Sequence, residues 1–201
     1  MKKIGILGGV GWASTIDYYR AICTGAARFH AARGATPPLP VPPITIESVV
    51  QADTRALRGR AGDDASWAAF DAVFRDAMLT LERAGCDFAL IASNTPHTRL
   101  HAIQEGLMMP VLSIFDAAAR ATAQTGAAQA LVLGTTVTMQ ARNYAAVLAE
   151  HGVAANDPLP SDAVAEMQAM IDEDFYGGAT ATARDRLLGF CRAHAAAGSA
   201  I

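Results

Sequence analysis

Ser93, Asn94, Thr95 and His97 stand together directly after the apolar run Phe88-Ala89-Leu90-Ile91. A short buried strand that ends in hydroxyl and amide side chains and then turns into a helix sets those groups at the carboxyl edge of a sheet. That edge is where α/β proteins bind ligands. The Asn94 side chain and the N–H groups of Asn94 and Thr95 are suited to hold a carboxylate. Pro96 fits a first helical turn, where a missing N–H costs nothing. The plain alternative is that Ser93 and Asn94 only cap the next helix. Gly-x-Ser-x-Gly is absent, which argues against reading Ser93 and His97 as a hydrolase pair. His97 is expected to orient the motif by hydrogen bonding rather than to act as a free base.

Two other loops carry groups of the same kind. In Gly134-Thr135-Thr136-Val137-Thr138, the hydroxyls of Thr135 and Thr138 at a strand end and helix start can bind a carboxylate together with backbone N–H groups. Capping by Thr138 is the alternative. The stretch from Ile4 to Trp12 contains Gly5, Gly8, Gly9 and Gly11. A dinucleotide fingerprint needs a third glycine at the helix start, and Gly9-Val10-Gly11 is followed instead by Trp12, Ala13 and Ser14. No NAD or FAD is therefore expected; a tight strand-to-helix turn alone accounts for glycine there.

The elements that must position these loops alternate. Apolar runs predict strands at 3–7, 44–50, 88–92, 111–114 and 130–133. Helical periodicity predicts helices at about 14–33, 66–83 (capped by Ser66), 98–105, 116–125 and 139–150. A further helix is capped by Ser161 or Asp162, Gly177-Gly178 interrupts, and 180–197 is helical again. The proline-rich 36–43 segment is a stiff extended loop. Such βαβα order predicts an α/β fold with mostly parallel sheets flanked by helices.

An internal repeat is visible. Leu7-Gly8 with Tyr18 matches Leu133-Gly134 with Tyr144, and Ile22 corresponds to Leu148. Ala84-Gly85-Cys86-Asp87-Phe88 resembles Ala197-Gly198-Ser199-Ala200-Ile201 in the same order. The simplest reading is two similar lobes, 1–113 and 114–201, with the active site in the cleft between them. The repeat also places the counterpart of Ser93 beyond Ile201, so the second lobe is expected to be cut short at its C-terminus.

Sixteen basic and nineteen acidic residues give a formal charge of −3, with no basic stripe for nucleic acid. Cys23, Cys86 and Cys191 have neither disulfide nor zinc spacing and are expected to be buried, inert thiols. His30, His101, His151 and His194 form no ligand spacing, so no metal is expected. The glycine-broken N-terminal run is no secretory leader, and nothing approaches a membrane span. A cytoplasmic protein without a membrane partner follows.

Ser93-Asn94-Thr95-Pro96-His97 resembles the first active-site motif of the aspartate/glutamate racemase superfamily, usually Cys-Asn-Thr-x-His, with Ser93 in the cysteine's place. The block from Gly8 to Arg20 resembles that superfamily's first loop and helix, and Gly134-Thr135-Thr136-Val137-Thr138 its Gly-Thr-x-x-Thr loop. The resemblance spans essentially the whole chain. It implies a cofactor-independent amino-acid racemase-like enzyme, a homodimer, that moves a proton at the α-carbon of a small carboxylic or amino acid without pyridoxal phosphate.

On that resemblance Ser93 takes the catalytic position. Gly9 and Val10 wall the substrate site, Gln51 closes the 46–51 segment that meets the distal part of the ligand, and Asn94, Thr95, Thr135 and Thr138 hold it, with His97 behind them. Two departures matter. Serine is a far poorer base than a thiolate near neutral pH, and the second thiol motif is expected after Ile201. A decarboxylase or isomerase of a small dicarboxylate on the same scaffold, or a catalytically inactive carboxylate-binding homologue, are the alternatives.

Overall fold

The computed structural model describes residues 1–175, 179–196 and 199–200, and these divide into two compact units, Met1–Leu112 and Ser113–Ile201. The break expected at Gly177-Gly178, and residues 197, 198 and 201 of the repeat, lie outside the described residues.

In the first unit, β1 (Ile4–Gly8) is buried along its whole length, as a central parallel strand covered on both faces must be. After α1 (Trp12–Ala31) comes β2 (Ile44–Ser48), which pairs in parallel with β1 from Ile4↔Ile44 to Gly8↔Ser48. Next are α2 (Gln51–Ala56), a 3-10 turn at Asp64–Trp67 and α3 (Ala68–Arg83). Then β3 (Phe88–Ile91) joins the other edge of β1, giving the order β2-β1-β3. Ile4, Ile6 and Ala92 form a cluster with Tyr18 and Ile22 of α1. Phe70, Phe74, Ala77, Met78 and Leu81 are the buried stripe of α3, at the spacing that one helix face requires. Each of those large side chains contributes roughly 1.5–3 kcal/mol by leaving water.

Several expected boundaries move. Asp63, not Ser66, accepts the capping N–H, from Ser66 itself. The helix expected at 98–105 is a 3-10 turn at Thr95–Arg99 followed by α4 (Leu100–Ile103). The strand expected at 111–114 reduces to a single bridge between Val111 and Ala89, because Ser113 already caps α5 (Ile114–Gln124).

In the second unit, β4 (Gln129–Ala130) pairs in parallel with β5 (Ala154–Ala155). The helix expected at 139–150 is two, α6 (Thr136–Gln140) and α7 (Asn143–Glu150). α8 (Ser161–Met170) follows Pro160 without a side-chain cap and runs into π-type turns at Ile171–Phe175. α9 (Ala181–His194) is capped by Thr180. Ala119, Ala130, Leu148 and Val153 form one core cluster, and Ala163, Met167, Met170 and Phe190 another.

The repeat reappears in the hydrogen bonding. The Asp87 N–H donates to the Lys3 carbonyl at 2.8 Å, and the Ala200 N–H donates to the Gln129 carbonyl at 2.9 Å. Those four residues occupy matching places in the two copies. β4 thus lies between β5 and Ala200 as β1 lies between β2 and β3.

Candidate active site

Parallel pairing brings three chain segments out at one edge of the first sheet. Gly8 lies beside Ser48 and Leu7 beside Ile91. The next bonds, Val49 N–H to the Gly8 carbonyl and Ala92 N–H to the Leu7 carbonyl, are 3.1 and 2.9 Å. Gly9–Val10, Val49–Gln51 and Ser93–Thr95 therefore follow the carboxyl ends of β1, β2 and β3.

Gly9 has a φ of +86°, which glycine alone adopts without strain. A Cβ there would overlap the Val49 carbonyl oxygen, so the loop after β1 lies directly on the one after β2. The Gly9 N–H donates to Thr15 Oγ1 at 3.1 Å, an α1 contact that sequence reading did not anticipate. Val10 is buried. Gln51 is half-buried and opens α2.

Ser93 is half-buried, one residue beyond the buried Ala92. Asn94 occupies the cap position of the 3-10 turn, and its carbonyl accepts the His97 N–H at 2.9 Å. Thr95 and His97 are 2% and 3% exposed; the pair supports the turn from beneath. His97 Nε2 lies 3.3 Å from the Ile91 carbonyl. A carbonyl only accepts, so Nε2 carries the proton. Burial holds the imidazole down at a pKa of about 4, against a smaller opposing effect of the Ile91 hydrogen bond. The ring is neutral near pH 7.

Arg99, the last residue of this turn, clamps it to α3. Its guanidinium donates to Asp71 through Nη2 at 2.8 Å and through Nε at 3.2 and 3.3 Å. It also bonds Asp64 and lies 5.7 Å over the Trp67 ring. The Arg99 and Asp71 side chains are 11% and 7% exposed. A forked, largely buried pair of this kind fixes geometry as well as charge. Nothing in the sequence marked it, because its partners are far apart along the chain.

In the second unit, Thr135 rather than Thr138 caps α6. Thr135 Oγ1 accepts the Thr138 N–H at 3.4 Å, and the two hydroxyls lie 3.2 Å apart. Thr138 is 1% exposed. The Thr136 N–H donates to Gln168 Oε1 of α8 at 2.9 Å, and Gln168 Nε2 donates to Asp172 Oδ1 at 3.2 Å. Gln168 is thus a holder of the loop that sequence reading missed. The structure brings Thr135 and Thr138 together, as it does Gly9, Val10, Gln51, Ser93, Asn94 and Thr95 at the first sheet's edge.

Among the described residues no group of His, Cys, Asp and Glu is arranged to hold a metal ion, and no helix is long and apolar enough to cross a membrane. Cys86 and Cys191 are buried, whereas Cys23 is only half-buried, against expectation. The chemistry at the first edge rests on hydroxyl, side-chain amide and main-chain N–H groups, which suit a carboxylate.

The sequence model of a family described as Asp/Glu/hydantoin racemase matches residues 7–200. A crystal structure from Yersinia pestis, assigned as an Asp/Glu racemase, is similar with a TM-score of 0.76 at 27% identity, over 99% of this chain and 83% of that one. An aspartate racemase homologue from Pyrococcus horikoshii OT3 gives a TM-score of 0.65 at 29% identity, over 89% and 74%. The Picrophilus torridus aspartate racemase, at 17% identity, shares the fold with a TM-score of 0.71 over 96% and 76%.

Proposed function

Because the chain belongs to the Asp/Glu/hydantoin racemase family, we propose that it moves a proton at the α-carbon of a small amino acid or related carboxylic acid without pyridoxal phosphate. The observation that carries this reading is the convergence of Gly9–Val10, Gln51 and Ser93–Thr95 at one strand edge. Asn94 and the neighbouring N–H groups grip the α-carboxylate and stabilise the negative charge that develops on it as the α-proton leaves. Ser93 lies at the reacting carbon, Gly9 and Val10 form a wall, and Gln51 meets the distal part of the ligand. Neutral His97 keeps the turn in shape from the buried side.

An alkoxide is scarce near neutral pH, so Ser93 is a far weaker base than a thiolate: it positions a solvent water that accepts the departing α-proton, and it donates a proton back to the same carbon. That hydroxyl in place of a thiol is also the observation favouring a second reading, a carboxylate-binding protein with little turnover. The protein is proposed to act in the cytoplasm as a homodimer, with no nucleic-acid partner.

Proton NMR in deuterated solvent tests the assignment with aspartate, glutamate and substituted malonates. Loss of the α-proton signal, dependent on the protein, is the expected result. Binding without exchange establishes the second reading, and neither binding nor exchange overturns both.

A further inference from the structure

Ser48 ends β2 beside Gly8, and its hydroxyl faces the loop after β1: a Cβ added at Gly9 would lie 2.6 Å from Ser48 Oγ. The residue is exposed, and among the described residues no hydrogen bond within the protein uses its hydroxyl. Because β1 runs between β2 and β3, Ser48 and Ser93 stand on either side of Gly8–Gly9, about 10 Å apart at two strand spacings. A small amino acid hydrogen-bonded at both ends bridges that gap. With its α-carboxylate held at Asn94 and Thr95, its far end reaches Ser48 and Gln51.

The charge around that far end has a single sign. The stretch from Glu47 to Asp53 carries those two carboxylates and no cation, and neither forms an ion pair among the described residues. Gly9–Ser14 and Ser93–Pro96 carry no charged side chain. His97 is held neutral by burial. Arg55, in the last turn of α2, has a partner of its own. Arg58 has its Nε buried in the protein, and Arg60 is paired with Asp63.

We infer that this strand edge selects an amino acid whose distal group is a neutral amide or hydroxyl over one with a second carboxylate, and that Ser48 determines the choice. The inference rests on the proposed function, which places the α-carboxylate at Asn94. A serine hydroxyl both donates and accepts, so it pairs with either end of a side-chain amide or with an alcohol. A distal carboxylate would lose water there without a counter-ion, and in the field of Glu47 and Asp53. An amide and a carboxylate have nearly the same shape, so charge and hydrogen bonding, not size, make the distinction.

Asparagine against aspartate, and glutamine against glutamate, supply the test. Calorimetry reads their binding to the full chain near pH 7, and proton NMR in deuterated solvent reads exchange of their α-protons. The better amide is expected to bind and exchange at least tenfold better than its carboxylate counterpart. Ser48→Ala brings the amides down to the level of the carboxylates, with an unchanged melting temperature because Ser48 is exposed. Asp53→Asn improves aspartate and glutamate severalfold at low ionic strength, where the field is least screened. Carboxylates that bind and exchange as well as the amides overturn the inference and leave the proton-moving reading in place. Amides that bind more tightly while nothing exchanges do the reverse. A preference for amides that survives Ser48→Ala removes Ser48 as its source and overturns the inference, and no binding by any of the four overturns both.

Discussion

The His97 imidazole donates through Nε2 to the Ile91 carbonyl at 3.3 Å, closing the chain around Ser93 from the buried side. A ring in this position cannot also serve as a cationic partner for substrate. Its pKa lies at about 4, chiefly through burial, against about 6.5 in an unfolded chain. Between those values the unfolded chain binds a proton that the native protein refuses. His97's contribution is therefore fully present above about pH 6.5 and is lost as pH falls towards 4, amounting to roughly 3 kcal/mol. Urea unfolding from pH 7.5 to pH 4 is expected to show this slope in the wild type. His97→Gln, which keeps a donor but does not titrate, flattens it; equal slopes in both proteins would remove His97 as the cause.

Gly9 makes a second, local prediction. An alanine there meets a positive φ, +86°, and overlaps the Val49 carbonyl. The left-handed backbone alone costs about 1–2 kcal/mol, and the overlap forces the two loops apart. Gly9→Ala is expected to destabilise the fold by about 2 kcal/mol or more in denaturant titration. Gly11→Ala is the control. A Cβ there meets only Ser14 Oγ, at 3.6 Å, so its cost stays within about 1 kcal/mol. Similar costs at the two positions would show that the loop contact is not what selects glycine.

The alternation of elements was legible because local periodicity writes it. Ile4 and Ile6 share one sheet face with Ile44, and the stripe from Phe70 to Leu81 falls at helical spacing. The residue types at the strand edge were legible for the same reason, since a strand followed by a polar turn is a local pattern. Element ends were less so. Asp63 and Ser66 are both good caps, and only the fold decides that the first serves the second. The apolar 111–114 run looks like a strand, but Ser113 caps a helix in its midst. Contacts made across long separations leave no mark at all. Arg99 reaches Asp71 over 28 residues and Gln168 reaches Thr136 over 32. The supporting side chains of the site were therefore invisible until the chain was folded.

Ser93 is the position at which function can be shifted by one atom. A cysteine thiol titrates near pH 8.5, so a measurable thiolate fraction exists at neutral pH, whereas serine offers almost none. If the α-carbon of the ligand lies against this side chain, Ser93→Cys is expected to raise α-proton exchange with deuterated solvent at least tenfold. Ser93→Ala is expected to bring it to background. Equal exchange rates in all three proteins, measured by proton NMR under the same conditions, would place the reacting carbon elsewhere.

Gln168 is oriented by its two partners. Asp172 accepts from Nε2 at 3.2 Å, so Oε1 is the end left for the Thr136 N–H, at 2.9 Å. A backbone donor at the start of α6 is thereby satisfied from α8, and the turn holding Thr135 and Thr138 is fixed at both ends: inside by its own hydroxyls, outside by Gln168. Gln168→Leu removes the acceptor and leaves the Thr136 N–H unpaired, a loss of about 1–3 kcal/mol where water does not replace it. Local opening then becomes easier. The Thr136 amide should exchange with deuterium about ten- to a hundredfold faster in the variant, while buried β1 amides such as Ile6 keep their protection. Gln168→Glu separates the two contacts, since it still accepts from Thr136 but sets a second carboxylate against Asp172. Partial loss of Thr136 protection, relieved as the pH is lowered and the carboxylates are neutralised, is the expected signature. An amide that exchanges equally fast in all three proteins would mean that Gln168 does not hold the loop.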